Sequence, residues 1–145
     1  MKNLRFLVLL FLAVSLGSSS CKKNDDEVMA SIVGKWGIVK TVEVDYVGTA
    51  KGPTETETTF SANDFVEFKS DGTAIFSEEG DTDAATYTVN TDTKKMSVKL
   101  NGTSTSIQMD IRTLNSTDLV LYAEESTSQG GITYKFTIET SFKKK

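Results

Sequence analysis

The sequence predicts an all-β domain, an antiparallel up-and-down meander of 8–9 strands closed into a barrel. Three observations carry this expectation. Apolar and polar residues alternate with period two through most of residues 31–142. Turn signals punctuate that alternation about every twelve residues. No convincing helical period interrupts it. Closure relieves a meander of its unpaired edges, which favours a barrel. A two-sheet β-sandwich shows the same periodicity and is the alternative architecture.

The first segment, IVGKWGIVKTVEVDYV, places Ile32, Trp36, Ile38, Val42, Val44 and Tyr46 on one parity. Lys35, Thr41, Glu43 and Asp45 take the other. A strand this long must bend to stay within a small domain, and Gly34 and Gly37 are the expected sites. PTETETTF is polar on both faces, as an edge segment should be, and begins at the only proline, Pro53. Ser61 to Asp64 could form a single turn. FVEFK and TAIFSEE meet at Ser70-Asp71-Gly72, a tight hairpin signal. ATYTVN and KKMSVKL flank Thr91-Asp92-Thr93, and Asn101-Gly102 then leads to TSTSIQMDIRTL. TDLVLYAEE follows Asn115-Ser116, and ITYKFTIETSF closes the series with Ile132, Tyr134, Phe136 and Ile138 on one face.

The start of the chain has a different character. Lys2 and Arg5 precede an apolar run from Phe6 to Leu16, followed by small residues. That is the pattern of a secretory signal, too short to span a bilayer, which takes roughly 20 residues. Ser18-Ser19-Ser20-Cys21 resembles a bacterial lipobox, although Ser18 stands where such motifs usually carry leucine. Relaxed lipoboxes of this kind are common in lipoproteins of the Bacteroides group. An unmodified thiol on a secreted protein is the alternative. The resemblance implies cleavage after residue 20, lipidation of Cys21, membrane attachment through it and a flexible tether over 21–30. Residues 31–142 would then form the barrel, with 143–145 a basic tail. The charged run Lys22 to Glu27 resembles a signal for display on the outer face of the cell, which implies an outer-membrane, cell-envelope location.

Gly34-Lys35-Trp36 opens the first strand, and a Gly-x-Trp there resembles the lipocalins, in which the tryptophan plugs the closed end of an eight-stranded barrel. IVGKW, VEFKSDGTAIF, ATYTVN and IRTLNSTDLVLY together look like the lipocalin-like domains of Bacteroides-group lipoproteins. In that family a basic residue from late in the chain covers the tryptophan. The only arginine of the mature chain, Arg112, is the candidate, so Gly34, Trp36 and Arg112 are expected to close the barrel. The family's long C-terminal helix has no counterpart.

Eight strands enclose either packed side chains or one small ligand. The expected inward set is Val42, Val44, Phe68, Phe76, Tyr87, Val98, Ile107, Met109, Leu121, Tyr134 and Phe136. Such a lining suits a small hydrophobic ligand. The alternative is an adhesion or assembly module that meets protein or glycan through its outer strand faces.

Catalysis is not expected. The chain has no histidine, its one cysteine sits at the tether, and no phosphate-binding glycine loop precedes a helix. No cofactor and no metal are expected. Glu78-Glu79-Gly80-Asp81-Thr82-Asp83 is rich in oxygen but lacks the spacing of a calcium loop, and reads as a solvated turn. The net charge of −4 argues against nucleic acid. A Cys21→Ala variant is expected to leave the membrane fraction for the soluble one on cell fractionation; unchanged membrane retention would count against lipidation.

Overall fold

The computed structural model describes residues 31–145, and structural statements refer to these; the signal region, Cys21 and the tether over 21–30 lie outside them. Nine strands follow in order: β1 (Gly34–Val47), β2 (Ala50–Glu57), β3 (Phe65–Phe68), β4 (Thr73–Glu78), β5 (Asp81–Asn90), β6 (Lys95–Leu100), β7 (Ile107–Leu114), β8 (Asp118–Gln129) and β9 (Ile132–Lys144). Every pairing is antiparallel. The last strand pairs back onto the first, from Trp36–Lys144 through Val47–Tyr134. β1 and β3–β9 thus close an eight-stranded barrel, and β2 is an additional strand on the outer half of β1. Two open, face-to-face layers are excluded by that closure.

Turn chemistry sets the short connections. Gly102 takes φ +83° after Asn101, a conformation glycine reaches without strain. β2 carries lysine, glutamates, threonines and Pro53, a composition that keeps an unpaired edge from recruiting another strand.

Two β-bulges decide which residues face inward. Between Ile38 and Lys40 the register against β9 slips by one residue, so Val39 is extra. Side chains alternate along a strand and cross-strand partners share a face, so a one-residue insertion exchanges the two faces beyond it. Trp36 and Ile38 point in with Phe142, and past the bulge Thr41 and Glu43 point in with Thr140 and Ile138. Val42 and Val44 therefore lie on the outer face, which corrects the expectation that they line the interior. The slip occurs at Val39 and not at the glycines. A second bulge between Ile111 and Thr113 makes Arg112 the extra residue of β7.

The core lies toward the end where β1 begins. Trp36, Ile32, Phe68, Met96, Leu119, Val66 and Val98 are its largest fully buried side chains. Ile32 belongs to a helical lead-in, not to the strand. Phe68 meets Tyr87 edge-on at 4.9 Å and Phe76 at 6.3 Å between ring centroids. Such contacts add about 0.5–1.5 kcal/mol each beyond burial. β9 runs on to Lys144, so Lys143 and Lys144 belong to the barrel wall and do not form a tail.

β1 leaves β3 after Gly37 and takes β2 as its neighbour from Thr41, which opens a seam in the wall. Asp64 fastens it. Its backbone oxygen accepts from Ile38 N at 3.1 Å, and its carboxylate accepts from Ser61 N at 2.5 Å and Glu79 N at 2.9 Å. Those donors, Ser61 first, hold the Asp64 carboxyl below the usual carboxylate range. A depressed folded-state value stabilises the fold above about pH 4 and is lost as pH falls through it. Asp64→Asn is expected to lower the thermal midpoint at pH 7 and to flatten its decline between about pH 5 and 3, read by circular dichroism.

Candidate functional site

The stoppered end is built from five residues. Trp36 is fully buried and donates its indole N–H to Ile32 O at 2.7 Å, which removes the cost of burying that donor dry. Lys144, paired with Trp36 across the closure, lies with Nζ 4.1 Å from the ring centroid and donates to Val33 O at 2.6 Å. Burial pushes the Lys144 ammonium below the ordinary lysine value. Gly34 has φ +128°, and a Cβ there would meet Lys144 Nζ at 2.6 Å, so the glycine makes room for the amine.

Lys144 is thus the late basic residue over the tryptophan, in place of Arg112. Arg112 alternates with the inward Met109 and Ile111 and so faces outward, where its guanidinium lies 3.6 Å from the Tyr122 ring centroid and pairs with Glu139. The signal for Lys144 was present: the alternation Phe136, Ile138, Thr140, Phe142 reaches it one step on.

At the other end the barrel opens. A cavity of about 630 Å³ lies there, lined deep down by Ile38, Val66, Phe76, Met109, Leu121 and Phe142. Its volume suits one small organic molecule, for which sites run about 300–1,000 Å³. Glu43, Glu78, Glu79, Asp81 and Asp83 line it near the mouth. Phe76, Met109 and Leu121 are the expected lining residues that reach it. Phe68, Tyr87 and Val98 face inward but belong to the packed core below, and Tyr87 donates its hydroxyl to Lys69 O at 2.8 Å. Ile107 faces inward opposite Val98 and is half-buried. Tyr134 and Phe136 carry the inner face of β9 beyond the cavity and line a shallower hollow of about 380 Å³ with Val47 and Asp45.

Sequence periodicity missed the carboxylates. Glu43 stood on the polar parity of β1, and only the bulge at Val39 brings it inside. Asp81 and Asp83 share a face with Phe76 because β5 begins earlier than its apolar residues do. Among the described residues no three histidine, cysteine or acidic side chains converge to hold a metal ion, and no helix is long and apolar enough to cross a membrane.

A closed antiparallel barrel with one stoppered end and one hollow end is a calyx, a class that encloses small ligands. Its family follows from the sequence: the chain belongs to the lipocalin-like domain family, which matches residues 32–121. No curated protein and no solved structure matches it. Trp36→Ala is expected to destabilise the barrel by about 3–5 kcal/mol, as for other buried aromatic truncations. Lys144→Met keeps the stem but strands the Val33 carbonyl, and is expected to cost about 1–2 kcal/mol in denaturant unfolding. An Arg112→Met variant, lacking any role at the plug, should lose less than about 1 kcal/mol.

Proposed function

We propose that this protein is a cell-envelope lipoprotein whose barrel binds a small, largely hydrophobic molecule reversibly and without chemistry. The observation that supports it most is the position of the cavity. It opens at the end opposite Trp36 and has an apolar floor of Ile38, Val66, Met109, Leu121 and Phe142. Removing an apolar solute from water into such a floor yields about 25 cal/mol per Å² buried. An adhesion module working through its outer faces would have no use for this hollow, so the carrier reading is favoured.

Anchoring rests on the sequence. Ser18-Ser19-Ser20-Cys21 supports lipidation, and the lipocalin-like frame resembles domains carried by Bacteroides-group lipoproteins. In this reading the acyl chains hold the protein on the outer membrane, with Lys22 to Glu27 favouring surface display, and residues 31–145 face the aqueous phase.

Residues 31–145 close their own sheet and core, so that fragment can be measured alone. The uncharged dye N-phenyl-1-naphthylamine is expected to bind it one to one with increased emission. Leu121→Trp, which fills the floor, is expected to cut that affinity at least about tenfold while the far-ultraviolet circular dichroism stays unchanged. Undiminished binding by the filled variant would place the dye elsewhere and overturn the reading.

A further inference from the structure

Part of the sheet projects past the rim of the barrel. β7 pairs with β8 no further up than Ala123, whereas β8 and β9 stay paired as far as Gln129–Ile132, and β1 follows β9 as far as Val47–Tyr134. Four of the five exposed large apolar side chains among the described residues, Val47, Ile132, Tyr134 and Phe136, stand on this projection. Alternation along β9 from Ile138, and the pairing of Val47 with Tyr134, put all four on the inner face. Apolar side chains gathered in water on one face mark a binding surface.

A second observation says what that surface holds. The cavity and the shallower hollow of about 380 Å³ take consecutive inward residues from the same three strands: Glu43 then Asp45 on β1, Ala123 then Glu125 on β8, and Ile138 then Phe136 on β9. No inward residue intervenes, so the two hollows are the lower and upper reaches of one trough. The apolar part of the upper reach is one strand wide. Phe136 has Asp45 on one side and Glu125 on the other, and Tyr134 lies between Val47 and Thr127. Neighbouring strands are about 4.8 Å apart, so the stripe fits a single chain laid along β9 and not a broad ring system. From Ile138 to Tyr134 it runs about 13 Å, at about 3.3 Å per residue. A second copy seated there face to face would bring its own Asp45 and Glu125 against these and meet like charge.

We propose that this inner face of β1, β8 and β9 is a second subsite outside the barrel, and that the ligand is an unbranched, extended apolar molecule longer than the cavity. This rests on the carrier reading and adds the ligand's length and shape. Its apolar end occupies the floor around Met109 and Leu121, its middle passes Ile138, and its outer part lies along Phe136 and Tyr134. Burial against these side chains continues to favour each added methylene after the barrel itself is full. The projection thereby selects for length, where a closed cavity selects against it.

A series of uncharged probes, octanol, decanol, dodecanol and tetradecanol, varies length alone. Each is titrated below its solubility limit into residues 31–145 by displacement of N-phenyl-1-naphthylamine. Affinity is expected to rise at every step, so that tetradecanol binds about tenfold or more tightly than decanol. In Tyr134→Ser/Phe136→Ser that advantage should fall to under about threefold while octanol's affinity holds, and in Tyr134→Leu/Phe136→Leu it should persist. A smaller advantage in the native domain would overturn the subsite and leave the carrier intact. So would a larger one retained by the serine pair, its loss in the leucine pair, or octanol binding that falls with the rest. Sedimentation in which the empty native domain self-associates, and the serine pair does not, would seat a second copy on the stripe and likewise overturn the subsite. Binding of no probe, and of no dye, would overturn both readings.

Discussion

An indole nitrogen buried in a dry place must find an acceptor, and the whole barrel is arranged around how Trp36 finds one. Its partner, Ile32 O, comes from the lead-in segment, so the chain must fold across the barrel's end before β1 can start. That crossing brings Val33 within reach of Lys144, which in turn requires the last strand to lie against the first. Gly34 supplies both the backbone turn and the space for the amine. One satisfied hydrogen bond thus ties the first described residues to the last, and the plug and the closure of the sheet are the same event. The core of Phe68, Met96, Val98 and Leu119 packs immediately on top of it.

Above that floor, shape is governed by the bulges more than by composition. A regular β1 would have turned Val42, Val44 and Tyr46 inward and filled the upper barrel with apolar side chains. The single extra residue at Val39 turns them out and brings in Thr41 and Glu43, whose polar ends do not pack together. The lower half of the interior is closed by large apolar groups, and above it Thr41 and Glu43 line the hollow where valines would otherwise have stood. The outward valines are not wasted. Val44 is buried on the outer face, where Thr137 beside it donates a long hydrogen bond to its carbonyl oxygen.

This division marks what could be read in advance. Strand order, the meander and the Asp71-Gly72 and Asn101-Gly102 turns follow from local rules of alternation and turn chemistry, whereas the plugging role of Trp36 came from the Gly34-Lys35-Trp36 resemblance to the lipocalins. Apolar inward residues such as Phe76, Met109 and Leu121 were legible from alternation alone, since they sit on unbroken stretches of it. What local rules cannot register is a slip between strands. Val39 and Arg112 are ordinary residues in sequence, and they are bulge positions only because of the strands opposite them. The misplacement of Val42 and Val44 and the hidden role of Glu43 stem from the insertion at Val39. Lys144 differs: its alternation was plain, and its charge among other terminal lysines disguised it as a tail.

The lead-in segment has one more consequence. Because Ile32 lies against the floor, anything joined upstream of residue 31 departs from the stoppered pole of the molecule. An anchor at Cys21 would then join the barrel at that pole and leave its acidic opening at the end farther from the attachment.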